Sequence, residues 1–197
     1  MVFQRLFKSG FLSPGADKAA AEALYTAIVA QARHPHLYVE LGVVDDIDGR
    51  FEAVVLHMHL VLRRLGQDKS GSTVAQALFD AMFYDMDRSL RAIGVGDMSV
   101  GKKVKQMGAA FYGRVGSYEA ALSSGDRAAL ADALARNVAG DGQMSQQQAG
   151  AFADYVERQV ETLAEQPIAD LVRGRVEFVD PASGAPSGAE GVGGARV

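Results

Sequence analysis

The sequence predicts an all-α fold: a single helical domain of about six or seven helices, with a disordered C-terminal tail. Three observations support it. Apolar residues recur with the period of an α-helix, glycine, proline and capping residues separate the periodic segments, and residues 175–180 are the one strand-like run, which cannot form a sheet alone. The 197 residues, 48% of them hydrophobic, are enough for one domain with a sizeable core.

The N-terminal part is predicted as an arm, residues 1–13, followed by a helical domain, residues 14–175. The arm carries apolar residues at helical spacing beside two cations, so it is expected to pack on the domain as a short helix, with a membrane-surface segment as the alternative. The first long helix spans roughly 14–33, because Pro35 disfavours a helical conformation in the residue before it. Residues 37–49 are expected to be irregular.

Three amphipathic helices form the middle of the chain. Each shows an apolar stripe of helical period, and the stripe of the second is expected to run from Val74 to Ile93. Capping residues set their limits. They are predicted at roughly 49–66 (N-cap Asp48, ended by Gly66), 70–92 (C-cap Gly94) and 98–123 (N-cap Asp97).

The C-terminal part adds two more helices, at about 125–138 and 145–164, the latter capped by Ser145, and a further turn at 168–174. Residues 181–197 are rich in proline, glycine, alanine and serine. Such a segment cannot bury enough apolar surface to order itself, so a disordered tail is expected.

Composition excludes several classes of function. Cysteine is absent, which removes disulfides, thiolate metal sites and cysteine nucleophiles. The net charge is −4, so the surface as a whole is not built to bind DNA. No secretory signal and no run of roughly 18 apolar residues is visible. We expect a soluble cytoplasmic protein with at most a peripheral contact to the inner membrane.

A glycine-rich stretch at residues 94–103, GVGDMSVGKK, imitates a nucleotide-binding loop. A phosphate loop needs serine or threonine after its lysine and a strand before it. Lys103 stands where the hydroxyl should be, and a periodic helix precedes Gly94. The stretch therefore predicts a tight helical hairpin, in which Gly94 ends one helix and Gly96 shapes the turn.

The surroundings of this hairpin are unusual. Residues 85–114 contain six cations and three anions, a net charge of +3 within an acidic chain, which predicts a docking surface. The predicted helix 98–123 contains four glycines, each of which destabilises a helix by roughly 0.8–1 kcal/mol relative to alanine. Ala109, Gly113 and Gly116 share one face, where another backbone could approach closely. Close packing within the chain and a groove for a partner helix both remain open.

Four segments resemble the ubiquinol–cytochrome c chaperone family over residues 35 to 175. They are LHMHLVLRRL (56–65), DMDRSLRAIGVGDMSVGKKVKQM (85–107), AFYGRVGSYEAAL (110–122) and LARNV (134–138). The resemblance implies an all-α, non-enzymatic assembly factor of the respiratory cytochrome bc complex, without a cofactor or metal. It also implies cytochrome b or another bc-complex subunit as partner, with a small co-chaperone or the ribosome beside it. The lack of an import presequence favours a bacterial member.

The motif positions are carried over as predicted partner-binding residues. They are Asp85, Asp87, Arg88, Arg91, Gly94, Gly96, Asp97, Lys102, Lys105, Phe111, Tyr112, Gly113 and Arg114.

Two other functions remain as alternatives. A metal-dependent hydrolase could use the histidines and acids of the N-terminal half, although two histidines two residues apart on a helix point to different sides. These groups are His34, His36, His57, His59, Asp45, Asp46 and Asp48. A ribosome- or RNA-associated module could use the hairpin cations, and its binding would weaken steeply with salt.

Overall fold

The computed structural model describes residues 15–139 and 144–183, and this part is all-α, as predicted. The predicted arm and residues 184–197 of the predicted tail lie outside the described residues. The helices are α1 (Gly15–Ala32), α2 (Pro35–Val39), α3 (Ile47–Leu65), α4 (Ser72–Ala92), α5 (Asp97–Ser124), α6 (Arg127–Val138), α7 (Gln146–Glu165) and α8 (Ile168–Val172), with a 3-10 turn at Lys69–Gly71.

Helix α3 is the centre of the fold and contacts every other long helix. Its apolar residues surround the helix instead of forming one stripe, which is typical of a buried helix. One side of α3 packs into a core shared with α1, α4 and α8, and the other into a core shared with α6 and α7. Val55 and Met58 belong to the first core, whereas Leu56 and Leu60 belong to the second. Helix α5 contributes to both cores.

Two predicted N-caps are wrong by one or two positions. Helix α3 begins at Ile47, and Asp46, not Asp48, accepts a hydrogen bond from the Gly49 amide at 2.7 Å. Helix α5 begins at Asp97 itself, with Gly96 as an N-cap that has no side chain to accept the bond. In a run of acidic residues each carboxylate is a chemically adequate cap, so the tertiary fold selects the position.

Other predicted limits are confirmed. Gly66 follows the last residue of α3, and Gly94, with φ +87°, follows the end of α4 in the left-handed conformation. Ser145 caps α7 in a reciprocal capping box with Gln148. The predicted irregular region holds the one-turn helix α2, which Pro35 opens and His34 caps through its ring nitrogen.

Residues 175–180, predicted to be strand-like, are extended but pair with side chains instead of a strand. The amide groups of Gln166 and Gln159 each bond both the N–H and the C=O of one backbone residue, Glu177 and Val179 respectively, at 2.8–3.1 Å. Gln159 on α7 and Gln166, the residue that caps its C-terminus, thus replace a neighbouring strand. A third glutamine, Gln31 of α1, adds a fifth bond, to the Val179 carbonyl. We call residues 175–180 the strap.

Candidate partner-binding surface

The turn between α4 and α5 is a compact Schellman motif. The Val95 amide donates to the Leu90 carbonyl and the Gly94 amide to the Arg91 carbonyl, both at 3.0 Å. The Arg91 guanidinium donates to Asp87 on α4 at 2.6 Å and also to Asp97, the first residue of α5. Because Arg91 contacts acids on both helices, it fixes the relative position of the two helix ends.

The outer part of this hairpin lies beyond the two core clusters, which end in the described part of the chain at Met86 on α4 and Met107 on α5. Val100 of α5 is the one residue between them on the hairpin, at positions 87–106, that is buried. Ile93, predicted to continue the buried stripe of α4, is 65% exposed. The chain turns directly after it, and no helix of the described residues covers this position. Met98, at the start of α5, is fully exposed. We call residues 87–106 the hairpin tip.

The cations of the hairpin tip differ in how they are bound. Arg91 is engaged by its two carboxylates. Arg88, Lys102, Lys103 and Lys105 are exposed, and within the described residues none of them forms an ion pair with a carboxylate. These four positive charges are therefore available to an external anionic group, whereas Arg91 is committed to the shape of the turn.

Several predicted site residues form the base of the hairpin instead of its outer surface. Arg114 donates to Glu52, a residue of α3 that is only 3% exposed. Burial raises the pKa of Glu52, and the Arg114 guanidinium opposes this shift by stabilising the carboxylate. Asp85 accepts a hydrogen bond from the Tyr25 hydroxyl at 3.0 Å, which joins α1 to α4.

Phe111 and Tyr112 also belong to the base. Phe111 is completely buried, and its ring lies edge-on to Phe79, with centroids 5.5 Å apart. The Tyr112 ring is half-buried against the same two rings, and burial raises its pKa to about 12. These aromatic contacts stabilise the packing of α4 on α5. Phe111 therefore supports the surface from below, since its own side chain cannot be reached from outside.

The four glycines of α5 divide into two groups. A Cβ at Gly108 would lie 3.2 Å from two ring atoms of Phe83, so this glycine admits the aromatic ring. A Cβ at Gly101, Gly113 or Gly116 would meet nothing within 4 Å. The sequence left open two explanations for the glycines of this helix. Close packing inside the chain, the first of them, thus accounts only for Gly108.

Two of the three open glycines, Gly113 and Gly116, belong to a continuous exposed stripe on α5. Successive members are three or four residues apart, so they lie on one face of the helix. From Ala109 onward the stripe has no long side chain, and its N-terminal part carries the lysines of the hairpin tip. We call this the α5 stripe; its members are Met98, Lys102, Lys105, Ala109, Gly113, Gly116, Ala120 and Ser123.

The histidines of the hydrolase alternative are dispersed in the structure. His57 is buried: its Nδ1–H donates to the Ala53 carbonyl and its Nε2 accepts from the Tyr155 hydroxyl, both at 2.7 Å. Burial lowers the pKa of His57, and likewise of His59, to about 4. In the described ranges no group of three or more His, Asp or Glu side chains could hold a metal ion.

Sequence reasoning missed the residue that anchors the hairpin, Glu52. The signal was present, because Glu52 is a single acid within the apolar run of α3. A charge at such a position is buried only with a partner. Sequence reasoning also missed the glutamines that hold the strap. No sequence pattern distinguishes a glutamine that hydrogen-bonds the backbone of a distant segment from one that faces solvent.

These features define, in the described residues, an all-helical protein that presents an exposed, cationic helical hairpin. The family model described as ubiquinol-cytochrome C chaperone matches residues 39–178, and the chain belongs to this family. None of the helices within the described residues combines the length and the apolar character that a membrane crossing requires.

Relatives and a solved structure agree with this assignment. The chain is 24% identical over 147 residues to ubiquinol-cytochrome-c reductase complex assembly factor 1 of Xenopus laevis, covering 74% of this chain and 73% of the relative. The mouse factor is 24% identical over 156 residues, covering 79% of this chain and 52% of the relative. The crystal structure of the Cbp3 homolog from Brucella abortus is 35% identical, with a TM-score of 0.77, and the match covers 93% of this chain and 99% of that one.

Proposed function

We propose that this protein is a non-enzymatic chaperone in the assembly of ubiquinol–cytochrome c reductase, and that it binds a helix of cytochrome b or of another subunit along the α5 stripe. The observation that carries the proposal is the stripe itself: an exposed row of small residues with two lysines at one end. The family of the chain and the names of its relatives support the same process.

The α5 stripe suits a helical client because of its shape. Small residues allow a second helix to approach the backbone closely, which is how helices of membrane proteins associate. Gly113 and Gly116 leave open space where other residues would place a side chain. A subunit helix held there would be shielded on one side until it joins the complex.

The lysines suit the same client by charge. Lys102 and Lys105 lie on the same face as the glycines, about two to four turns towards the N-terminus of α5. Free ammonium groups at one end of the stripe would favour a client with acidic residues at the matching end, and would thereby set its orientation. In this arrangement the protein acts at the inner membrane from its cytoplasmic side.

Deletion of the gene tests the function. Assembled bc complex, measured by native electrophoresis and by the absorbance of reduced haem b, should disappear from the membrane and return with the wild-type gene. Complementation with Lys102→Glu/Lys105→Glu should fail. Lys18→Glu/Lys69→Glu makes the same charge change at exposed positions outside the hairpin and should restore the complex. Normal levels of complex in the deletion strain would refute the proposal.

Salt dependence distinguishes the ribosome- or RNA-associated alternative. Binding to RNA through the hairpin cations would weaken by a slope of roughly 0.7 in log affinity per phosphate contacted. A client helix held mainly by close packing would show a weak dependence. Crosslinking from positions 102 and 105 in cells would identify the bound molecule directly.

A further inference from the structure

We propose that the end of the α4–α5 hairpin is a membrane-contacting surface, which places Ile93 and Met98 at the interface of an anionic lipid bilayer and the neighbouring cations against its phosphate groups. This goes beyond the proposed function, because a bilayer contact requires no client. The partner is defined by its chemistry: a planar, negatively charged surface with an apolar layer beneath the headgroups.

Exposed apolar residues lie at both ends of the turn that joins α4 to α5. Five large hydrophobic side chains are strongly exposed among the residues the structure describes, and two of them, Ile93 and Met98, flank the single turn. Half-buried Leu90 and Val95 lie beside them. The group lies outside both core clusters, at the end of the hairpin. Exposed apolar side chains at the end of a hairpin can enter a bilayer interface.

The charge of the hairpin tip matches an anionic surface. Residues 87–106 contain five cations and two acids, a net charge of +3, whereas the whole chain carries −4. The two acids are both held by Arg91, so the four remaining cations face outward without a carboxylate partner in the described part of the chain. They lie within about two helical turns of Ile93 and Met98. That distance is comparable to the range of electrostatic attraction at physiological salt, about 8 Å.

The hairpin presents these groups as one preformed unit. Gly94 closes the turn in the left-handed conformation, and Arg91 links Asp87 of one helix to Asp97 of the other. Ile93, the C-cap of α4, and Met98, the second residue of α5, are therefore held at the two ends of one fixed turn. Lysine ammonium groups on flexible stems need no fixed partner geometry, which fits mobile lipid phosphates better than a shaped protein surface.

Vesicle sedimentation with the full-length protein is the first test. Vesicles of phosphatidylglycerol and phosphatidylcholine in equal amounts should bind it, and vesicles of phosphatidylcholine alone should not. Ile93→Ser/Met98→Ser should lower the partition coefficient about tenfold. Val39→Ser/Ile47→Ser, which changes two side chains that are 71% and 75% exposed outside the hairpin, should leave it unchanged.

Charge neutralisation is measured in the same assay. Lys102→Gln/Lys103→Gln should weaken binding about fivefold for each lysine. Lys18→Gln/Lys69→Gln removes the same net charge elsewhere and should have a far smaller effect. Equal losses from the two pairs would mean that only the overall charge matters, and would overturn the proposal.

A fluorescent probe locates the contact. Because the chain has no cysteine, Met98→Cys and Val39→Cys each provide a single labelling site. A polarity-sensitive dye at position 98 should shift to shorter wavelength with phosphatidylglycerol vesicles, and a dye at position 39 should not. No shift at 98, or equal shifts at both positions, would overturn the proposal.

Two further outcomes separate this contact from its rivals. If Phe3→Ser/Phe7→Ser abolishes vesicle binding while Ile93→Ser/Met98→Ser does not, the N-terminal segment binds the membrane and the hairpin does not. If the hairpin variant binds vesicles normally but lowers bc complex in cells, the tip contacts a polypeptide. Either result overturns the proposal, and the second leaves the proposed chaperone function standing.

Discussion

Replacing Gly113 and Gly116 by alanine should make the protein more stable. Both glycines lie inside α5, and a Cβ at either position would meet nothing within 4 Å. The change therefore removes only the helix penalty of glycine, roughly 0.8–1 kcal/mol at each site, or about 2 kcal/mol for the pair. For a chain of this size the melting temperature should rise by about 4–8 °C. Thermal unfolding followed by circular dichroism measures it.

The same positions should be sensitive to size when the partner is present. Gly113→Gln/Gly116→Gln also replaces glycine with a good helix former, so the protein should be no less stable than the wild type. If a helix packs on the α5 stripe, two long side chains would hold it away, and assembled bc complex in complemented cells should fall severalfold. Loss of function in a protein of undiminished stability would identify an interaction surface.

Two other glycines provide controls. Gly108→Ala places a methyl group 3.2 Å from the Phe83 ring, so its helix gain is offset by crowding and stability should not rise. Gly150→Ala lies in α7, where its Cβ would be 3.6 Å from Arg127 Nη2; it should stabilise the fold without affecting assembly. If the Gly113/Gly116 alanine variant is destabilised, the stripe is not open. If the glutamine variant supports normal assembly, no helix docks there.

Three further predictions concern the interior. Glu52→Ala and Arg114→Ala should each destabilise the fold by about 3–5 kcal/mol, because each leaves a partly or fully buried charge unpaired. In urea unfolding, the double variant should lose less stability than the sum of the two single losses. Additive losses would mean that the pair is not coupled. In the unfolded state His57 and His59 each take up a proton near pH 6.5, but in the folded state each has a pKa of about 4. The burial of the neutral rings therefore contributes its full stability above pH 6.5. The free energy of unfolding falls by about 3 kcal/mol per histidine as the pH drops to 4. A His57→Gln variant should lose about half of this slope in urea titrations between these pH values, and an unchanged slope would contradict the burial. Gly174→Ala should destabilise the fold by roughly 2 kcal/mol or more, because φ of Gly174 is +82° and a Cβ would lie 2.9 Å from the backbone of α1. An unchanged melting temperature would show that Gly174, just before the strap, is not packed this tightly against α1.

The helices could be predicted because each has a strong local signal. The helical character of α3 and the punctuation by Gly66 and Gly94 are properties of a few neighbouring residues, and the structure confirms them. The caps at Asp46 and Gly96 could not be predicted, since several adjacent residues satisfy the local rule and only the packed fold chooses among them. The strap was mistaken for a strand-like run because its partners are side-chain amides far away in sequence.

The candidate site, too, could be predicted from the sequence only in part. The sequence predicted a basic, glycine-interrupted hairpin, but it treated all motif residues as one surface. Contacts over long sequence distances divide them: Arg114 reaches Glu52 and Asp85 reaches Tyr25. Exposure also depends on the fold, which is why Ile93 was predicted in the buried stripe although it is 65% exposed.

This division has a consequence for how variants of the hairpin should behave. Residues of the base, such as Glu52 and Arg114, hold the hairpin on α3 through a buried ion pair, so their loss should lower stability and assembly together. Residues of the outer surface, such as Lys102 and Lys105, make no such contact within the described residues, so their loss should lower assembly while the melting temperature stays the same. A plot of bc-complex level against melting temperature should therefore place the two groups on different lines. If the lysine variants fell on the line of the base variants, the hairpin would matter only for the fold, and a partner contact through its outer face would not be needed to explain it.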